Sequence, residues 1–224
     1  MPPLPVIAIV IPVFNEEAVL PALFARLSAI FGAQPALCAW RAVLVDDGSR
    51  DRSAALIREQ AAGDPRFELV ELSRNFGFQA ALAAGLAYAR QADAIVTMDA
   101  DLQDPPEVIP QLVAAWRAGA EIVRATRRTR AETGLRRVGF NVFHGVFGRL
   151  SDFPMSPNSG TFGLIGHDAI EAFHQFPERH RFFPGLRAWI GFPTTDVLYD
   201  REEDRKSTRL NSSHITRYRM PSSA

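Results

Sequence analysis

The sequence predicts an α/β protein, a doubly wound and mostly parallel sheet with helices on both faces. Three observations predict it. Short apolar runs, β-branched at first, alternate with stretches of helical spacing, strand then helix, four times over. The runs are apolar on both alternating positions, as strands covered on both faces must be. Several of the runs end in acids, asparagine or glycine, the residues expected where a ligand sits beyond the carboxyl edge of such a sheet.

The elements follow in order. "VIAIVIPVF" (6–14) reads as a buried strand, and "EEAVLPALFARLSAIF" (16–31) as a helix with Val19, Leu20, Leu23, Leu27 and Ile30 on one face. "AVLVDDGS" (42–49) is a second strand, "RSAALIREQAA" (52–62) a helix and "FELVELS" (67–73) a third strand. "FQAALAAGLAYARQA" (78–92) is an Ala-rich helix and "AIVTMDAD" (94–101) a fourth strand. "EVIPQLVAAWRAG" (107–119) is a helix with a glycine stop, and "EIVRAT" (121–126) a fifth strand. Beyond residue 126 the alternation breaks, and a basic amphipathic helix, a Gly/Pro-rich loop and a further short helix are expected.

Bulk composition narrows the function. The chain has 224 residues with 25 basic and 25 acidic side chains, a balance that speaks against a dedicated nucleic-acid binder. Cys38 is the only cysteine, which excludes an internal disulfide and a Cys-rich zinc site and fits a reducing compartment. The first apolar run is too short, and lacks the basic flank, for a signal peptide or a membrane span. The segment from 204 to 224 contains Lys206, the only lysine, and is rich in Ser and Thr. We read it as a polar tail foreign to the fold. No G-x-G-x-x-G follows the first strand and no Walker-type loop occurs, so the usual dinucleotide and P-loop readings fail.

The chemistry-bearing residues collect at strand ends. The first strand delivers Pro12, Asn15 and Glu16, the second Asp46 and Asp47, the fourth Asp99, Asp101 and Gln103. In an extended strand, residues i and i+2 point the same way, so the carboxylates of Asp99 and Asp101 are expected to converge, with the Gln103 carbonyl beside them. Oxygen-only ligation of this kind suits Mg²⁺ or Mn²⁺. Turn chemistry or capping is the other reading, and it is the one adopted for Asp104 and Glu107 ahead of the next helix. In "VDDGSRD" (45–51), Asp51 and Ser49 read as turn and cap residues. "RATRRTRAETGLRR" (124–137) holds six arginines, whose forks match phosphate oxygens. "GLRRVGFNVFHGVFGRL" (134–150) reads either as a core helix or as an interfacial one at a membrane surface, and "RHRFFPGLRAWIGF" (179–192) has the same character.

"IPVFNEE", "VDDGSRD", "LSRNFGFQAALAAGL" and "MDADLQDPPE" occur in order at characteristic spacing, and together they resemble family 2 glycosyltransferases of the GT-A fold. More narrowly they resemble the polyprenyl-phosphate branch, related to dolichyl-phosphate mannosyltransferase and undecaprenyl-phosphate glucosyltransferases. The resemblance covers residues 6 to about 203. It implies a catalytic domain over 1–203, with a nucleotide-binding half to about 126 and an acceptor-side half from about 127. It implies that Pro12, Asn15, Glu16, Asp46 and Asp47 hold the nucleoside and that Asp99, Asp101 and Gln103 carry Mg²⁺ or Mn²⁺ on the donor diphosphate. Arg127 and Arg130 would match an R-x-x-R that grips phosphates, and Arg201 a further arginine on the phosphate or acceptor side; Asp99, Asp101, Arg127 and Arg130 are the catalytic set.

The implied reaction is inverting transfer of a sugar from a UDP- or GDP-linked donor to a polyprenyl phosphate for cell-envelope glycan. It would take place at the cytoplasmic side of the cell membrane, with this chain peripheral and self-association left open. The family's membrane helices commonly follow the catalytic domain, and "YDREE" is followed here by the odd tail, so a truncated chain is expected. The family pattern G-D-F-R-L stands here as Gly160, Thr161, Phe162, Gly163 and Leu164. That leaves a non-catalytic nucleotide- or membrane-binding relative as one alternative. A sugar nucleotidyltransferase is the other, although the glycine- and Lys/Arg-rich loop it needs after the first strand is missing.

Overall fold

In the computed structural model, residues 3–128, 159–175 and 183–200 are described. Four strands form in the order anticipated: β1 (Val6–Val13), β2 (Ala39–Asp46), β3 (Phe67–Glu71) and β4 (Ala94–Thr97), all mutually parallel. Between them run α1 (Leu20–Ala33), α2 (Ser53–Gly63) and α3 (Phe78–Tyr88). A 3₁₀ turn (Pro106–Val108) leads into α4 (Ile109–Arg117), and β5 (Ile122–Arg127) follows. The prolines at 105 and 106 lack the N–H that a regular first turn would use, and the helix proper starts only at Ile109.

Beyond β5 the chain adds β6 (Ser159–Gly166), α5 (His167–His174), α6 (Phe183–Trp189) and β7 (Thr194–Tyr199). The seven strands make one sheet in the order β3-β2-β1-β4-β6-β5-β7. β6 runs antiparallel to both β4 and β5, whereas β7 lies parallel to β5 at the edge. The sheet is therefore mixed, and two strands exist where only loop and helix were expected. β6 hides because three of its eight residues are glycine, which strand propensities disfavour. One of them has a packing reason: a Cβ on Gly163 would stand 2.6 Å from the Val123 carbonyl oxygen and 2.7 Å from Arg187 Nη1.

Alternation along the strands divides the core. Ile7, Ile9 and Ile11 face α1, α2 and α4 through Leu23, Leu27, Ile57 and Leu112. Ala8 and Val10 face α3 and α5 through Ala81, Leu82, Leu86 and Ile170. Both faces of the sheet are covered, as the uninterrupted apolar runs required. Gly85 of α3 lies so close to the sheet that a Cβ there would meet Val10 Cγ1 at 2.3 Å.

In α6 the described residues fit the core alternative of the two left open by the sequence: Phe183 is buried in the second core cluster and Arg187 is only 3% exposed. Arg187 Nη2 donates to the Gly160 carbonyl at 3.0 Å, and burial, with Arg124 nearby, brings the guanidinium pKa down to about 10. The helix expected at 134–150, the tail from 204, Arg130 and Arg201 all lie outside the described residues. Among the described residues no helix is long and apolar enough to cross a membrane.

Candidate active site

The parallel strands deliver their loops to one edge, and side chains staple those loops together. Asn15 sits in the left-handed region at φ 55° just after β1. Its N–H donates to Ser49 Oγ at 2.9 Å, and its Oδ1 accepts from Arg50 N at 2.8 Å. Glu16 N–H donates to Ser53 Oγ, while Asp51 accepts from Glu17 N and from Ser53 N at the start of α2. The loops after β1 and β2 thus form one preorganised shelf. Pro12 is buried near the end of β1, paired with Val45.

The two acids after β2 are both buried. Asp46 is 2% exposed; its Oδ2 accepts from Ser49 N at 3.1 Å, and its Oδ1 has no hydrogen-bond partner among the described residues. Asp47 is 3% exposed and spends both oxygens on the β3–α3 loop, accepting from Phe76 N at 2.7 Å and Gly77 N at 2.9 Å. The structure thus has Asp47 holding that loop through both of its oxygens. Gly48, at φ 68°, allows the approach, since a Cβ there would fall 2.5 Å from the Arg74 carbonyl carbon.

The carboxylates after β4 converge, but by a different route from the one expected. β4 ends at Thr97, so Asp99 and Asp101 lie in a turn and not on pleated strand; Leu102, at φ 59°, bends the chain back. Asp101 Oδ1 accepts from Gln103 N at 3.0 Å. Gln103 thus engages Asp101 through its backbone, and its side chain makes no hydrogen bond among the described residues. Asp99 Oδ1 is buried without a hydrogen-bond partner there. Burial first, then the charges of Asp101 and Asp104, push the Asp99 carboxyl up to about 6, against a lesser pull from Arg127. An orphaned carboxylate oxygen among like charges is a site that a divalent cation would neutralise. The oxygen donors of Asp99 and Asp101 fit such an ion in their chemistry. Among the described residues no third His, Cys, Asp or Glu completes a closed cage.

Asp104 departs from the capping role: neither the 3₁₀ turn nor α4 has a side-chain cap. It is 4% exposed and accepts from Arg127 Nη2 at 3.0 Å and from the Tyr199 hydroxyl. Arg127 Nε in turn donates to the Tyr199 oxygen at 3.0 Å. Glu107 likewise serves no cap, and forms a two-pronged ion pair with Arg26 of α1. Arg127 stands at the end of β5, beside the carboxylate turn, as the phosphate reading needs. Thr97 Oγ1 donates to the Thr161 carbonyl at 2.6 Å, which ties β6 to the last residue of β4. The link from Asp104 to Arg127 and Tyr199 has no signal in the sequence, because nothing local in "TTDVLYD" marks the tyrosine.

A model of the family described as "Glycosyl transferase family 2" matches residues 8–173. An uncharacterized glycosyltransferase of Synechocystis is 43% identical over 197 residues, covering 88% of this chain and 61% of that protein. A bactoprenol glucosyl transferase of Shigella phage SfV is 36% identical over 198 residues, 88% of this chain and 64% of that one. This chain thus spans about three fifths of these relatives' length. Among solved structures, a mannosyltransferase from Pyrobaculum calidifontis in complex with GDP-Man and Mn²⁺ superposes with a TM-score of 0.60 at 20% identity, over 87% of this chain and 55% of that one. That likeness shows the fold, which is GT-A.

Proposed function

This chain belongs to glycosyl transferase family 2, and on that premise we propose that it is the catalytic part of an enzyme moving a sugar from a UDP- or GDP-linked donor to a polyprenyl phosphate at a membrane surface, with inversion. The observation that carries the reading is the carboxylate turn after β4, with Asp99 Oδ1 buried and unpaired among the described residues and Arg127 alongside. The bactoprenol glucosyl transferase among its relatives supports the lipid acceptor.

In this reading the shelf of Asn15, Glu16 and Ser49 receives the nucleoside with Asp46 alongside, and Asp47 ties the end of β2 to the β3–α3 loop. Asp99, Asp101 and Gln103 would hold Mg²⁺ or Mn²⁺ on the donor's diphosphate side. The bound ion would supply Lewis-acid neutralisation of the leaving diphosphate. Two carboxylates without a third leave coordination positions for substrate oxygens, as Mg²⁺ sites on phosphates usually do. Arg127 contributes a fixed positive fork on the phosphate side. A lipid phosphate is already anionic at neutral pH, so its attack on the anomeric carbon asks no strong base of Thr161.

The test is calorimetry of UDP and GDP binding with and without Mn²⁺. Wild-type chain is expected to bind one of them tightly only with the ion, and Asp101→Ala to lose that dependence. Unchanged ion-dependent binding in Asp101→Ala would refute the site.

A further inference from the structure

We propose that Asp104 and Tyr199 are positioning residues that aim Arg127 at the donor diphosphate, and that they link the carboxylate turn to the far edge of the sheet. The proposal rests on the transferase reading above and goes beyond it, because neither residue is placed to touch substrate.

Three elements meet at this point. Arg127 is the last residue of β5, Tyr199 the last residue of β7, and the two face each other in the parallel register. Asp104 comes from the loop after β4, 95 residues earlier than Tyr199. The hydrogen bonds form a closed triangle: Tyr199 hydroxyl to Asp104, Arg127 Nη2 to both Asp104 oxygens at 3.0 and 3.3 Å, and Arg127 Nε to the Tyr199 oxygen at 3.0 Å. The Tyr199 ring is itself fixed, edge-on to Phe162 of β6 at 5.6 Å between centroids. Arg128 N–H, next along, donates to the Tyr199 carbonyl.

This geometry divides the guanidinium. Nε and Nη2 are spent inward on groups that are almost wholly buried, whereas Nη1 has no partner among the described residues and the side chain stays 36% exposed. An arginine held from behind by two of its three nitrogens loses its rotamer freedom before a ligand arrives, so less entropy is lost when a phosphate binds. Asp104 also lies three residues past Asp101, so the same triangle restrains the turn that carries the cation ligands.

The experiment is a double-mutant cycle on the full chain with Mn²⁺, reading the affinity of UDP or GDP against that of the bare nucleoside. Tyr199→Phe removes only the hydroxyl and keeps the ring against Phe162. It is expected to weaken the nucleoside diphosphate by about tenfold, the scale of one charge-assisted hydrogen bond, and to leave the nucleoside unchanged. In an Arg127→Ala background the same substitution should be silent, because the group it positions is gone. Arg127→Lys should not restore affinity, since a point charge cannot use the two-sided hold. Asp104→Asn should give the same selective loss, and its melting temperature tells a folding defect apart from a binding one.

Additive effects of Tyr199→Phe and Arg127→Ala, or equal losses for nucleoside and diphosphate, would overturn the positioning role and leave the transferase reading intact. A wild-type chain that binds neither UDP nor GDP would overturn both.

Discussion

Asp47→Asn separates the two jobs that can be assigned to the second strand-end acid. The carboxylate accepts from two backbone N–H groups, Phe76 at 2.7 Å and Gly77 at 2.9 Å, while only 3% exposed. Asparagine keeps one acceptor and turns the other into a donor, which then faces an N–H head-on. One charge-assisted bond is lost and its donor is left buried, and the surviving bond becomes neutral. The combined cost is about 2–4 kcal/mol. For a chain of this size, that lowers the melting temperature by about 5–15 °C. Scanning calorimetry should show the drop, and calorimetric titration well below the transition should show nucleoside binding retained by the folded protein. An unshifted melting temperature with nucleoside binding abolished would refute the argument and return Asp47 to direct contact with the nucleoside.

Two further outcomes follow from packing and burial. Gly85→Ala and Gly32→Ala should act in opposite directions in thermal melts. A Cβ at Gly85 would collide with Val10 and Val45, which costs about 1–3 kcal/mol and outweighs the helix gain; at Gly32 nothing lies within 4 Å, so the alanine stabilises by up to about 1 kcal/mol. Cys38 is 2% exposed and its thiol is pushed up to about 12 by burial, against a smaller opposing pull from Arg117. It should resist thiol reagents at pH 8 until the protein unfolds. Because the folded pKa lies above the unfolded value of 9.0, the stability tied to the neutral thiol is complete below pH 9 and is lost progressively from there to about pH 12. Alkylation at pH 8 as fast in the native as in the denatured chain would contradict the burial.

The sequence reading was strongest where the physics is local. β1 to β5 and their helices were legible because each strand is a single apolar run and each helix carries its own periodicity. Asp99 and Asp101 were legible because unpaired acids beside a core require compensation. What escaped depends on partners far along the chain. β6 carries glycines that make sense only against Val123 and Arg187, and Asp104 looked like a cap until Tyr199 and Arg127 were found beside it. Asp47 was legible as a special residue but not as a loop anchor, since Phe76 and Gly77 lie about thirty positions away. β4 stops at Thr97, so Asp99 and Asp101 stand on irregular chain that strand periodicity does not describe.

The strand order sets a schedule for the nascent chain. β1 to β4 can pair as they emerge from the ribosome, because each finds its neighbour among earlier strands. β5 cannot: among the described residues its partners are β6 and β7, and β6 starts roughly thirty residues later. Bringing the ends of such a segment together costs about 3 kcal/mol of closure entropy, more than a nearest-neighbour hairpin. Until β6 arrives, one edge of β4 and the apolar residues of β5 stay open, the condition in which nascent chains recruit chaperones or mispair. Slowing synthesis between residues 127 and 166 would lengthen that exposed interval, so the yield of folded protein should respond to translation speed there more than anywhere upstream.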